Sequence, residues 1–203
     1  VLSVQRNGQE PWLLQPRFNA LNSPRLPAPQ ALWMARTMAS ALEALHTAGW
    51  LHTSLTAESA VWGLSGAIVL SDVGWCRRRG TEECLAEHAA LVGDIHYTPP
   101  ELFHGPTHLT PAADMYRLGV ALCHWLTGAS PWKNTWASEL VAIKCTRSVS
   151  TYLPTALSYG VRSLLEKLLN RNPLRRPTAG EVMQTLVALE IDTFSQWDTA
   201  AAA

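Results

Sequence analysis

Apolar residues recur at three- and four-residue steps from Leu32 through Ala35, Met38, Ala39, Leu42 and Leu45. That spacing puts one continuous stripe on one side of a helix. Pro29 suits the first turn, where a missing N–H is harmless, and Gly49 suits the residue past the end, so the pattern predicts a helix from Pro29 to Ala48. Ahead of it, Val1–Gln5 and Trp12–Phe18 have the pattern of short strands, with Asn7 and Gly8 as a hairpin turn signal, and a Pro-rich polar loop covers Asn19–Gln30. After the helix, Ala60–Trp62 and Ala67–Leu70 are strand-like runs on either side of the turn at Gly63–Gly66. Residues 75–110 carry little periodicity and predict a long loop, of the kind that is functional or mobile in a compact domain.

The C-terminal half is helical in pattern. Thr110 and Pro111 open a helix that runs to about Thr127, where Gly128 ends it. A shorter helix is predicted over Ala137–Lys144 and another over Ala156–Leu169. Thr178 and Glu181 form a Thr-x-x-Glu capping box for a last helix to about Ile191, and the Ala200–Ala203 tail adds nothing. There is no internal repeat.

Composition narrows the function classes. Of the 203 residues 47% are apolar, which supports a sizeable core and excludes a disordered chain. Lys+Arg and Asp+Glu both number 16, a balance that argues against nucleic-acid or membrane-surface binding. Cys76, Cys84, Cys123 and Cys145 show neither a CxxC pair nor regular spacing, which predicts free thiols in a reducing cytoplasm rather than a disulfide framework or a zinc site. His104 and His108 lie four apart, but Gly105 and Pro106 make that stretch a loop, not a metal-binding helix face. The longest apolar run, Leu118–Leu126, contains His124 and is too short to span a membrane, and the N-terminus has no signal-peptide pattern. The chain starts directly in strand-like sequence, so a piece of a larger fold is expected.

Candidate chemistry comes from five short motifs in order. Residues 52–59 run H-T-S-L-T-A-E-S, followed by Asp72-Val73-Gly74, then Pro99-Pro100-Glu101 with Tyr97 just ahead of it. Next come Asp114-Met115-Tyr116-Arg117-Leu118-Gly119 and Asn172-Pro173-Leu174-Arg175-Arg176-Pro177. This series resembles the protein kinase family, with its H-R-D-L-x-x-x-N catalytic loop, D-F-G, A-P-E, D-x-W-x-L-G and D-P-x-x-R-P segments. The resemblance runs over almost the whole chain. It implies an α+β, protein-kinase-like fold: a mostly helical C-terminal lobe over residues 19–192, a strand remnant of the small lobe and hinge over 1–18, and a tail over 193–203.

By that resemblance, Asp114 accepts backbone N–H bonds and holds the catalytic loop rigid. Glu101 and Arg176 resemble the family's buried ion pair, His52 and Val73 match the stacked internal spine, and Gly74 completes the D-x-G turn. These residues hold the lobe together with or without chemistry. Pro16–Phe18 falls at the hinge and Val61 at the adenine floor. Asp72 matches the main magnesium ligand, so ATP and Mg²⁺ are the implied cofactors; the bland alternative is an acid satisfying backbone N–H groups.

The catalytic positions themselves depart from the pattern. Phosphoryl transfer asks the protein mainly for positioning and charge neutralisation. The base position is Ser54, which cannot act as a base near neutral pH; the Lys that steadies the phosphate is Thr56; and the Asn that ligates the second Mg²⁺ is Ser59, a shorter and weaker ligand. The Arg before the base is Thr53, so an activation loop phosphate has no docking partner there. Asp94, where many Ser/Thr kinases carry Thr, is a candidate for a relocated base. The Gly-rich loop, the strand Lys and its Glu partner are not in this chain and are expected upstream. Arg77–Arg79 is a charged run that suits solvent or an acidic group. Of the nine Trp residues, Trp33, Trp125, Trp132 and Trp136 are expected in the core or at its rim. The sequence therefore predicts a pseudokinase, with an atypical Ser/Thr kinase as the alternative and a decayed fragment as a third reading. A protein partner is implied without being identified.

Overall fold

The computed structural model describes residues 3–7, 10–14, 19–20, 25–63, 66–83, 95–105 and 107–201, with backbone alone for 3–20, 82–83 and 194–201. The strands, in chain order, are β1 Ser3–Asn7, β2 Glu10–Leu14, β3 Asn19–Ala20, β4 Trp50–Leu51, β5 Ala60–Trp62, β6 Ile68–Leu70, β7 Arg77–Arg78, β8 Glu82–Glu83 and β9 Thr107–His108. The helices are α1 Ala28–Thr47, α2 Pro111–Thr127, α3 Ala137–Thr146, α4 Tyr159–Leu168 and α5 Ala179–Ala201.

α2 is the centre of the core. It is apolar on all sides rather than along one stripe, which is the pattern of a helix with no face left for water. Met115, Leu118, Val120, Leu122 and Trp125 are all buried. α1 lays its predicted stripe, from Leu32 to Leu42 with Met34 added, against α2 and α5. α4 covers another side of α2. A Cβ on Gly119 would meet Leu168 Cβ at 2.8 Å, so the glycine is what lets α2 and α4 approach. Burying Leu32, Leu118 and Leu122 contributes ~1.5–3 kcal/mol each.

Among the described residues, four small antiparallel sheets accompany these helices. β1 and β2 form the predicted hairpin, with Ser3 opposite Leu14 and Asn7 opposite Glu10. The second strand is thus Glu10–Leu14, earlier than the Trp12–Phe18 pattern suggested; residues 15–18, with the expected hinge, lie outside the described residues. β3 lies in the segment read as loop and pairs with β5, which pairs in turn with β6. The stretch 75–110 is also more structured than its lack of periodicity implied. β7 pairs with β4, β8 pairs with β9, and Pro100–Phe103 makes a short turn of helix.

Two helix boundaries moved for physical reasons. α4 starts at Tyr159 rather than Ala156, because Ser158 caps it by accepting from Val161 N and Arg162 fastens the preceding carbonyls of Ser150, Leu153 and Pro154 as a loop. α5 begins at its predicted capping box, where Glu181 Oε2 accepts from Thr178 N at 2.8 Å, and it runs on past Ile191 to Ala201. Trp125 and Trp132 are core and Trp33 is rim, but Trp136 is 78% exposed because it precedes α3 and has nothing packed over it.

Candidate functional site

The 52–59 loop is held at both ends by strand pairs, β4 with β7 before it and β5 with β6 after it. Between them, its backbone hangs on one buried carboxylate. Asp114, in the first turn of α2, is fully buried; its Oδ2 accepts from His52 N at 2.8 Å and its Oδ1 accepts from Thr53 N at 2.8 Å. His46 Nε2 donates to the same Oδ2 at 2.9 Å from the end of α1. A carboxylate with several donors is the strong form of hydrogen bond. It holds Thr53 at φ 65°, a left-handed conformation that a β-branched residue otherwise avoids. Thr53 Oγ1 also donates to Trp75 O at 2.7 Å, and His52 Nε2 donates to Ser71 O at 2.7 Å, which ties the loop to the 71–75 turn.

The catalytic-loop side chains are neutral and mostly engaged with the fold. Among the described residues, Ser54 Oγ is shut off from solvent and has no hydrogen-bond partner. Thr56 and Ser59 form a capping box, with Ser59 Oγ accepting from Thr56 N at 3.1 Å. Ser59 is wholly buried and donates to Asp72 Oδ2 at 3.2 Å. Ser71 Oγ lies 3.2 Å from the same oxygen and 3.1 Å from Ser59 O, sharing one proton between them.

Asp72 is the exposed acid of the site and takes φ 62°. It precedes the 73–75 turn but makes no side-chain bond to a backbone N–H there, so the reading of it as a simple cap is corrected: its partners are the two serine hydroxyls. Magnesium binds through oxygen ligands, commonly one or two carboxylates together with substrate phosphates. Asp72 fits that role by chemistry and exposure. Ser59 does not fit as a ligand, since it is buried and its oxygen is committed to Thr56 N and Asp72. Val61 is buried in the middle strand of the three-stranded sheet, opposite Ala20 and Val69. Val73 is 37% exposed while His52 is fully buried, so any stack between them is open to water. Gly74 has open space where a Cβ would stand, so no close contact demands glycine. Asp94 lies outside the described residues.

The structural pairs expected from sequence lie close together. Arg176 donates to both oxygens of Glu101 at 2.7 Å, to Ala112 O at 2.8 Å through Nη1 and to Asn170 O at 2.8 Å through Nε. Its guanidinium also lies 4.8 Å from the Tyr116 ring, and burial pushes the Tyr116 phenol well above its ordinary value, so that ring stays neutral. Arg77 bonds to Trp75 O and Cys76 O, and Arg78 sits 4.9 Å over the Trp50 ring, so two of the three arginines in the charged run are engaged locally.

One residue escaped the sequence reading. Lys144 in α3 is buried and donates to Ile95 O, His96 O and Thr98 O at 2.9, 2.7 and 2.7 Å, beneath the Trp132 ring at 4.6 Å. It fixes the backbone just ahead of Pro99-Pro100-Glu101. Tyr97, in the same segment, accepts from Ala57 N at 3.2 Å and lies 2.8 Å from His124 Nδ1, which links this segment to the 52–59 loop. A lysine in a short helix gives no sequence signal of burial.

Comparison with known proteins places this geometry among relatives. The protein kinase domain family matches residues 15–187. The Aurora kinase of Schizosaccharomyces pombe is 31% identical over 147 residues, 72% of this chain and 40% of the relative. The ribosomal protein S6 kinase alpha-4 of Homo sapiens is 34% identical over 146 residues, 69% of this chain and 18% of the relative. The 3-phosphoinositide-dependent protein kinase 1 of Arabidopsis thaliana is 29% identical over 164 residues, 77% of this chain and 33% of the relative. The chain therefore spans less than half the length of these curated relatives.

Proposed function

The chain belongs to the protein kinase family, and from that premise we propose that it is a pseudokinase domain: a binding and regulatory module that holds Mg²⁺–ATP through Asp72 and does not transfer phosphate by the family's usual route. The observation that carries the reading is the state of the catalytic loop. Its backbone is fastened by Asp114 in the manner a working loop requires, yet the side chains it presents are Ser54, Thr56 and Ser59. None can serve as a carboxylate base or a phosphate cation at neutral pH, and each such function is worth orders of magnitude in rate. Ser59 is built into the fold, and among the described residues Ser54 Oγ has no acceptor to take its proton. Bound Mg²⁺ would neutralise phosphate charge; the chain's own part is to hold that cation at the Asp72 carboxylate and keep the loop in place beside it.

On the same reading residues 1–18 belong to the small lobe and 19–192 to the large lobe, and the module acts in the cytoplasm, where thiols such as Cys76, Cys123 and Cys145 stay unpaired. An upstream Gly-rich loop and strand Lys would complete the nucleotide site. The test is calorimetric titration of the full-length protein with ATP, with and without Mg²⁺. The reading predicts Mg²⁺-dependent binding that Asp72→Asn abolishes; binding that is unchanged by Mg²⁺ and by Asp72→Asn removes Asp72 from the role.

A further inference from the structure

A cavity of about 410 Å³ lies where the 100–104 turn, the end of α3 and the 170–175 turn meet. Neither Asp72 nor any residue of the 52–59 loop lines it. Its volume is at the low end of the range of about 300–1,000 Å³ usual for small-molecule sites, which suits one compact group on a short side chain.

Charge on the lining is one-sided. Arg171 and Arg175 line the cavity, and among the described residues Glu101 is the one carboxylate that does. Both Glu101 oxygens accept from Arg176 at 2.7 Å, and Arg176 is not itself part of the lining. Glu101 is thus matched from behind, which leaves the two lining guanidinium charges over. Arg171 Nη1 donates to Cys145 O at 3.1 Å and to Thr146 O at 2.8 Å. Those acceptors are neutral, so they fix the fork without cancelling its charge. Arg175 is exposed, and among the described residues its side chain has no partner. The lining asparagines turn their oxygens to the backbone: Asn170 Oδ1 accepts from Asn172 N at 2.9 Å, and Asn172 Oδ1 accepts from Leu174 N at 3.0 Å. Their NH₂ groups remain as donors. Asn172 also stands where the D-P-x-x-R-P pattern that this segment resembles has Asp, so the chain lacks a carboxylate that the pattern would set on this lining.

Two uncompensated cations and the amide donors beside them call for an occupant with about two negative charges and several acceptor oxygens on one centre. A phosphate monoester carries about −1.5 to −2 charge at pH 7 with three acceptor oxygens, whereas a carboxylate has one charge and two oxygens. Leu174 lies between the lining residues Asn172 and Arg175 and is 91% exposed, so apolar surface stands beside the cavity for the chain that carries the phosphate. We propose that this cavity recognises a phosphorylated serine or threonine side chain of a partner protein, its phosphate meeting Arg171 and Arg175 and its flanking residues passing over Leu174. The site is separate from the nucleotide position, so this contact does not depend on Asp72.

The experiment titrates full-length protein by calorimetry with a short neutral peptide carrying one phosphoserine, the same peptide unphosphorylated, the same peptide with glutamate at that place, and inorganic phosphate. The phosphopeptide is expected to bind at least about fivefold tighter than each of the other three. Arg175→Gln and Asn172→Asp should each weaken it by about threefold or more, and Asp72→Asn should leave it unchanged. Arg175 is exposed and Asn172→Asp keeps an oxygen for Leu174 N, so both variants keep the wild-type thermal melt. No binding of the phosphopeptide, equal binding of the unphosphorylated or glutamate peptide, or an affinity untouched by either arginine or asparagine variant would each overturn the assignment. Inorganic phosphate bound as tightly as the phosphopeptide would reduce the cavity to an adventitious anion site, and loss of binding in Asp72→Asn would move it to the nucleotide position; either result overturns the assignment as well.

Discussion

Asp114→Asn exchanges one carboxylate oxygen for an NH₂ group and leaves the side chain's size unchanged. The native carboxylate accepts from His52 N and Thr53 N at 2.8 Å each, with no exposure to solvent. An amide oxygen can keep one of these donors; the NH₂ group then faces the other, and one buried N–H loses its acceptor. His46 can turn its ring nitrogen acceptor toward the NH₂, so that contact survives. A hydrogen bond to a charged group contributes ~1.5–3 kcal/mol, and a stranded buried donor costs ~1–3 kcal/mol. Relaxation of Thr53 from its left-handed conformation returns ~1–3 kcal/mol of that loss. The net destabilisation is about 2–4 kcal/mol, which for a domain of this size lowers Tm by about 4–16 °C. Calorimetry measures the melt, and hydrogen exchange reads the two amides directly: His52 and Thr53 lose protection ahead of the α2 core. A Tm within about 2 °C of wild type, with both amides still protected, would refute the claim that this one carboxylate positions the loop.

Three further substitutions probe the frame. Glu101→Ala leaves the fully buried Arg176 guanidinium without its carboxylate and should cost ~3–5 kcal/mol in chemical denaturation, whereas Glu101→Gln, which keeps one acceptor, costs less. Gly119→Ala drives a methyl to 2.8 Å from Leu168 Cβ and should cost ~1–3 kcal/mol through separation of α2 and α4, read as a shift in denaturation midpoint without a change in slope. The Glu181 carboxyl is held below the ordinary glutamate range chiefly by its backbone bond to Thr178, and also by the Thr178 side chain. Its folded value is depressed, so its contribution is present above the ordinary glutamate value and is lost as pH falls through the folded value. Glu181→Gln should therefore destabilise α5 at neutral pH, and the difference from wild type should vanish in acid; a difference that persists at low pH contradicts the cap.

The helices were legible because their signals are local and repeated. The α1 stripe, Pro111 and Gly128 around α2, and the Thr178–Glu181 box each depend on residues within a few turns of one another. β3 was not legible, since two residues carry no periodicity and Asn19 and Ala20 are placed by pairing with β5. The site divides the same way. Its motif positions could be read in order, and Asp114, Glu101 and Arg176 lie where that order implies. The left-handed Thr53, the hydroxyl partners of Asp72 and the commitment of Ser59 to Thr56 depend on side-chain directions that spacing does not encode. Lys144 and Trp136 were misleading for a common reason. Helix α3 has no clean apolar stripe, so neither its pattern nor the residue just ahead of it says that the lysine is buried and the tryptophan exposed.

The central claim concerns chemistry, and γ-phosphate transfer measures it most directly. Full-length protein is mixed with Mg²⁺ and labelled ATP over a Ser/Thr peptide library, beside Asp72→Asn, Ser54→Ala and Asp94→Asn. The account predicts no phosphopeptide from wild type above the Asp72→Asn background. Transfer by wild type that survives Ser54→Ala and is lost in Asp94→Asn would contradict it and assign the base to Asp94.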